Sequence, residues 1–212
     1  MAKTGTIVID PGHGGQVEVG DSSANNAISA SGVLEKNITL RMAFLVREQL
    51  LSIAAAEGHQ LIILLTRESD VNLGLAARAK VAKTNKANLF LSIHCNASIG
   101  HNARGTETLI SPVTDGNTNH LADKAFAQLI QNAVFNTIKS HDVNARDRGV
   151  KDQSLGVLKD KHLGTTTRAC LVELEFIDVK AVDILLNIGP NSPQVRTNIA
   201  NAIARTLVES LE

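Results

Sequence analysis

The chain contains no tryptophan and no tyrosine, and only five phenylalanines. Stacking platforms for nucleic-acid bases need aromatic faces, and so do the ring strips that grip sugars. Both are excluded as a main binding mode. Charge of one sign is also missing, because 21 Lys and Arg balance 21 Asp and Glu. A net-zero chain has no bulk field to hold nucleic acid, an anionic membrane or an anionic polymer. Weak binding to such polymers, with little salt dependence, is the expectation. No stretch approaches the roughly 18 consecutive apolar residues of a membrane span, so membrane insertion is not expected. The two cysteines, Cys95 and Cys170, cannot build a disulfide framework and read as reduced, buried thiols.

What is present is a foldable chain. Hydrophobic residues make up 43% of 212 positions, enough for a core and for one domain across residues 1–212. Thr6–Asp10 (TIVID) reads as a buried strand ended by Pro11-Gly12. It begins almost at the N-terminus, so no signal peptide is expected. Residues 14–33 are rich in Gly, Ser, Asn and Ala and read as a long loop. Glu35–Ala56 reads as a helix stopped by Gly58, Gln60–Thr66 as a second buried strand and Leu73–Lys83 as a helix. Asn88–His94 and Thr106–Ser111 are strand candidates. Leu121–Ser140 is a helix with Leu121, Ala125, Leu129 and Ala133 at helical spacing. Arg168–Glu175 is a fifth strand, and Val179–Asn187 and Pro193–Leu211 are helices, the last with Ser192 as N-cap. Alternation of strands and helices implies an α/β domain, with a mainly parallel or mixed twisted sheet flanked by helices.

Four residues at predicted strand or helix ends carry chemistry. His13 follows the first strand, in Asp10-Pro11-Gly12-His13-Gly14-Gly15, and His94 ends the third. Glu35 opens the first helix, and Glu173 lies near the end of the fifth strand. In open α/β sheets, sites gather at the carboxyl ends of strands. Two imidazoles and one carboxylate make a three-ligand catalytic zinc site, and a second carboxylate supplies a general base. Glu35 alone also fits a first-turn acid favoured by the helix dipole. Glu173 and Glu175 share a face at period two, so chemistry alone leaves the choice between them open. Arg67, Asp70 and Arg78 read as loop-fixing groups. His101, His120, His141 and His162 read as surface residues without partners.

Several pieces occur together in a fixed order: IVIDPGHGG, GVLEKNITL, LLTRESD, ANLFLSIHCNAS, RGTET, RGVKDQSLGVLK and ACLVELEF. In these the chain resembles the zinc-dependent N-acetylmuramoyl-L-alanine amidases, over nearly its whole length. The resemblance implies one zinc ion per chain held by His13, Glu35 and His94, with Glu173 as the catalytic carboxylate. Glu173 is preferred because the family pattern places that Glu three residues before the Phe, here Phe176. The chain departs from the pattern at Glu175, where a small residue is usual. It also departs at Lys83, Asn88 and Cys95, and in a longer stretch over Lys161–Arg168. The implied substrate is peptidoglycan, cut between the lactyl group of N-acetylmuramic acid and L-alanine by a monomer acting on the bacterial wall. The competing expectations are a zinc peptidase or deacetylase acting on another wall amide, and a non-catalytic wall-binding domain. The implied settings are a phage lysin released from the cytoplasm or the catalytic part of a secreted autolysin.

Overall fold

The computed structural model describes residues 1–212. Six strands form one sheet in the order β2-β1-β3-β6-β4-β5. They are β1 (Thr4–Pro11), β2 (Gln60–Leu65), β3 (Leu89–Asn96), β4 (Thr106–Ile110), β5 (Asp147–Asp152) and β6 (Arg168–Phe176). β2, β1, β3 and β6 run parallel, and β4 meets β6 antiparallel with β5 parallel to β4. The sheet is therefore mixed and mostly parallel, as the alternation of elements predicts.

Helices cover both faces. α1 (Glu35–Glu57), α3 (His120–His141) and α6 (Ser192–Glu209) bury the larger core, where Ile7, Ile9, Leu91, Ile93 and Val172 meet Met42, Val46, Ile130 and Ile203. A smaller core of Val8, Phe90 and Leu171 lies under α2 (Leu75–Thr84), the 3-10 turn Gly156–Leu158 and the short α4 (Asp160–Leu163). Fully burying a side chain of this size stabilises by about 1.5–3 kcal/mol, so the central strands are the most stable part of the sheet. No helix is long and apolar enough to cross a membrane.

Five local readings change. β2 is an edge strand, with Ile62 59% exposed, because only β1 covers it. Its run of branched residues looked buried on composition, which carries no information about a missing neighbour. On α3 the buried face is Phe126, Ala127, Ile130, Gln131, Val134 and Ile138, while Leu121 and Leu129 face solvent. The β5 strand, DRGVKD, escapes a hydrophobic reading because it is a polar edge. Helix α6 starts one residue earlier than expected, with Asn191 as N-cap and Ser192 inside it. The segment expected as one helix from Val179 is a short α5 (Lys180–Asp183) continued by a wide π turn, Ile184–Ile188.

Candidate metal centre

The strand β1 ends in a turn that no ordinary backbone makes. His13 has φ +60°, a left-handed value that a side chain adopts only when its surroundings enforce it. Two buried arginines enforce it. Arg67 donates from Nε to the Pro11 carbonyl at 3.0 Å and from Nη2 to the Gly12 carbonyl at 2.8 Å. Arg78 donates to the Pro11 and His13 carbonyls at 2.8 and 2.7 Å. Asp10 accepts from Arg78 at 3.0 Å, and from Thr66 and Ser92 at 2.5 and 2.7 Å. Burial alone would raise the Asp10 carboxyl, but Arg78 and the two hydroxyls hold it below its ordinary value. Arg67 and Arg78 thus fix the loop, as their spacing suggests. Asp70 does so from outside, accepting from the Gly15 N–H at 2.8 Å and pairing with Lys36 at 2.8 Å.

The glycines around His13 are there for close approach. A Cβ on Gly12 would stand 2.3 Å from the His94 ring, and one on Gly14 would stand 2.1 Å from the Val71 carbonyl oxygen. The two imidazoles can meet only over a bare backbone. Their ring centroids lie 4.7 Å apart in an edge-to-face arrangement.

Glu35 completes the cluster from the first residue of α1. Each of its carboxylate oxygens is anchored on one side by a backbone N–H and faces a histidine nitrogen on the other. Oε2 accepts from Ala27 N–H at 2.8 Å and lies 3.2 Å from His13 Nε2. Oε1 accepts from Cys95 N–H at 3.0 Å and lies 3.0 Å from His94 Nδ1. Burial opposes the Glu35 charge, but hydrogen bonds from His13 and His94 overcome it and hold the carboxyl far below the ordinary range. The positive end of the α1 dipole adds to this. The first-turn acid is therefore also the carboxylate that faces both histidines.

One ligand atom from each of His13, Glu35 and His94 lies within 4.8 Å of the others, so the three residues could hold a metal ion. The donor set fits. His13 Nδ1–H donates to the Ser23 carbonyl at 3.0 Å, which selects the tautomer and turns Nε2 inward. That Nε2 is buried and faces the Glu35 carboxylate. Burial lowers the basicity of the His13 ring, yet the hydrogen bond and charge of Glu35 raise it above the ordinary imidazole value. Two nitrogens and one carboxylate oxygen match the preference of Zn²⁺ for borderline donors, with room for a fourth ligand. A recess lined by Asp10, His13, Ser22, Ser23, Leu75, Arg78, His94 and Val157 opens onto the cluster.

Glu173 stands beside His94 in the parallel β3–β6 register. Its Oε2 is buried without a partner. Burial, then the charges of Glu35 and Glu107, push its carboxyl well above the ordinary value. Glu175 is different. The β3–β6 register shifts past His94, and the alternation along β6 slips with it. Cys170, Val172 and Leu174 face the larger core before the shift, and Ile177 faces it after. Glu175 is thereby taken out of the period-two pattern that would place it beside Glu173. It accepts from Arg104 Nε at 2.7 Å and from the Gly105 and Phe176 N–H groups at 2.6 and 2.8 Å. Cys95 and Cys170 are free thiols in the larger core, and Cys95 points away from the histidines.

Sequence reasoning missed several groups around the site. Glu107 accepts from Asn96 Nδ2 at 2.9 Å and Arg148 Nε at 2.7 Å, and also pairs with Lys151. A carboxylate inside the short apolar strand TETLI carries the same signal that marked Glu173, but the polar β5 partner was not visible. Ser23 meets His13 Nδ1 with both its carbonyl and its Oγ at 3.0 Å, and a serine within a long loop signals neither. Three of the four remote histidines also have partners: His101 with Asp178 at 2.9 Å, His120 with Asp152 at 3.0 Å and His141 with Asn198 at 3.0 Å.

Similarity to known proteins agrees with this arrangement. The model of a family described as N-acetylmuramoyl-L-alanine amidase matches residues 7–207. An endolysin of Bacillus phage SPP1 is 33% identical over 201 residues, covering 95% of this chain and 65% of the endolysin. The N-acetylmuramoyl-L-alanine amidase CwlM of Bacillus licheniformis is 33% identical over 172 residues, covering 81% of this chain and 56% of CwlM. The chain thus spans less than two thirds of these relatives. Among solved structures, the catalytic domain of CwlV, an N-acetylmuramoyl-L-alanine amidase from Bacillus (Paenibacillus) polymyxa var. colistinus, superposes with a TM-score of 0.74. It is 28% identical, with 97% of each chain covered. On a match that runs through both histidines, both strand-end carboxylates and nearly all of the sheet, the chain belongs to the N-acetylmuramoyl-L-alanine amidase family.

Proposed function

We propose that residues 1–212 form a single catalytic domain that hydrolyses the amide between the lactyl group of N-acetylmuramic acid and L-alanine in peptidoglycan. One zinc ion would be held by His13, Glu35 and His94. When bound, zinc polarises a carbonyl and lowers the pKa of water toward ~7. The observation that carries the reading is the buried cluster of His13, Glu35 and His94 beside Glu173 Oε2, a carboxylate oxygen buried without a partner.

The chain's own residues do the rest. Ser23, Ala27 and Cys95 orient the ligands through their backbones, so the cluster keeps its shape without reorganisation. Glu173 accepts the proton of the attacking water at Oε2. It then returns that proton to the amine of L-alanine as the C–N bond breaks. The raised basicity of Glu173 suits both halves of that transfer. The products are a free stem peptide and a glycan carrying an unsubstituted lactyl carboxylate.

Digestion of purified peptidoglycan tests the reaction. New L-alanine amino termini support it. Free acetate would instead make the chain a deacetylase, and new amino termini within the stem would make it a peptidase. Intact product would leave a wall-binding domain. The relatives include an endolysin and cell-wall amidases, which supports action at the bacterial wall.

A further inference from the structure

The balanced total charge hides an uneven distribution. A cavity of about 480 Å³ lies between α2 and α4, lined by Ala76, Ala77, Lys80, Lys83, Lys161 and His162. A second, of about 460 Å³, shares Ala76, Ala77, Lys161 and His162 with it and adds Lys159. The second cavity also shares Asp21 and Leu75 with the recess over the metal centre. The three therefore lie side by side along one face, from His13 and His94 at one end to the lysines at the other.

Those lysines are not neutralised. Lys159 pairs with Asp115 at 3.5 Å, but Lys80, Lys83 and Lys161 have no ion-pair partner. Lys83 Nζ instead donates to the Lys161 carbonyl at 3.3 Å, which brings two cationic chains together. Lys80 and Lys83 are also neighbours on one face of α2, where like charges repel. His162 has its basicity lowered, by burial and then by Lys161, Lys83 and Lys159, so these ammonium groups face it. The carboxylates among the lining residues, Asp21 and the Arg78-paired Asp10, both sit at the end toward the metal centre. Cations gathered without partners in a concave site raise the local concentration of an anion.

We propose that this groove holds the stem peptide of the substrate, with Lys80, Lys83 and Lys161 binding its free carboxylates. The inference rests on the amidase reading above. The glycan of that substrate is uncharged and its stem peptide carries the carboxylates, so only one side of the scissile amide suits a cationic channel.

The test compares two soluble muropeptides with the same tripeptide stem, one with free carboxylates and one with them amidated. The wild-type chain should favour the free acid by roughly tenfold in KM, the modest gain expected of a few exposed charge contacts. The preference should fall with added salt. It should approach one in the Lys80→Gln/Lys83→Gln/Lys161→Gln variant, whose metal content and Tm report its folding. Equal preference in wild type and variant would overturn the proposal. Binding of the free tripeptide to the Glu173→Gln chain, read by fluorescence anisotropy, decides the groove separately. If neither muropeptide is cleaved but the peptide binds in a lysine-dependent way, the amidase reading fails and the groove stands. Binding indifferent to the lysines sinks the groove whatever the activity. Displacement of the peptide by a polyglycerol phosphate at much lower charge concentration would reassign the groove to a phosphodiester polymer.

Discussion

Glu107 and Glu173 face each other as a directly opposed pair across the antiparallel β4–β6 ladder, yet only Glu107 is matched by cations. Opposed residues on a ladder share a face, with Cβ atoms about 4.5–5.5 Å apart. Arg148, Lys151 and Asn96 all point at Glu107, which leaves Glu173 Oε2 unpaired and available. Burial would raise the Glu107 carboxyl, but Lys151 and Arg148 hold it below its ordinary value.

Glu107 therefore keeps the two cations off Glu173. In Glu107→Gln, Arg148 and Lys151 lose their carboxylate and the nearest alternative is Glu173. Activity should fall by on the order of tenfold or more, the worth of one charge-assisted hydrogen bond. Metal content should be unchanged. Parallel measurement of kcat and bound zinc checks this, and loss of zinc would contradict it.

The two carboxylates of β6 should fail differently. Glu173→Gln should lower kcat by about 10²–10⁴-fold while zinc stays bound. Glu175→Gln removes the partner of Arg104 and a double backbone acceptor, so it should lower stability by ~3 kcal/mol. Activity per folded molecule should survive. Denaturant unfolding alongside turnover separates the two effects, and the reverse pattern would put the catalytic group one strand turn too early.

Metal removal gives a third expectation. Chelation should abolish turnover and zinc should restore it. His13→Ala and His94→Ala should each lower bound zinc, because three ligands leave no spare. Cys95→Ala should retain it, since Cys95 packs in the larger core. Elemental analysis of the purified variants is the measurement.

Asp10 sets the acid limit of the fold. Against the opposing effect of burial, Arg78 and the Thr66 and Ser92 hydroxyls hold its carboxyl below the ordinary value. A depressed carboxyl contributes stability above its unfolded value, lost as pH falls through the folded one. Wild type should lose stability below about pH 4 by this route. Asp10→Asn should remove that part of the slope. It should also destabilise the chain by about 3–5 kcal/mol at neutral pH, because Arg78 is left buried and uncompensated. Urea unfolding across pH 2–7, on the order of six points, checks both sign and size.

The parts of this protein written in local pattern were legible. TIVID, NLFLSIH and RACLVELE carry their strands in composition, and Gly58 marks the end of α1 by its left-handed backbone. His13, Glu35 and His94 stood out only through the ordered motifs, since residues 22 and 59 positions apart form no short metal motif, and the structure brings these three together. What failed depended on neighbours. The exposure of Ile62 follows from the absence of a strand beyond β2, and DRGVKD became a strand only because β4 lies next to it. The separate fates of Glu173 and Glu175 follow from a register shift against β3, which one strand's alternation cannot encode. The lysine groove joins α2 to α4 across the sheet face, so a chain-wide charge count averages it away.

The order of the centre along the chain also has a kinetic consequence. His13, Glu35, His94 and Glu173 come from the end of β1, the start of α1, the end of β3 and β6. No single hairpin or helix contains two facing members of the set, and β1 reaches β3 only after the whole β2–α2 segment has been laid outside it. Closing loops of that length precedes any reward from the contacts they make. During refolding, helical content should therefore recover first and metal affinity later, so that metal uptake times the docking of β3 beside β1 and α1, and turnover times the docking of β6 against β3.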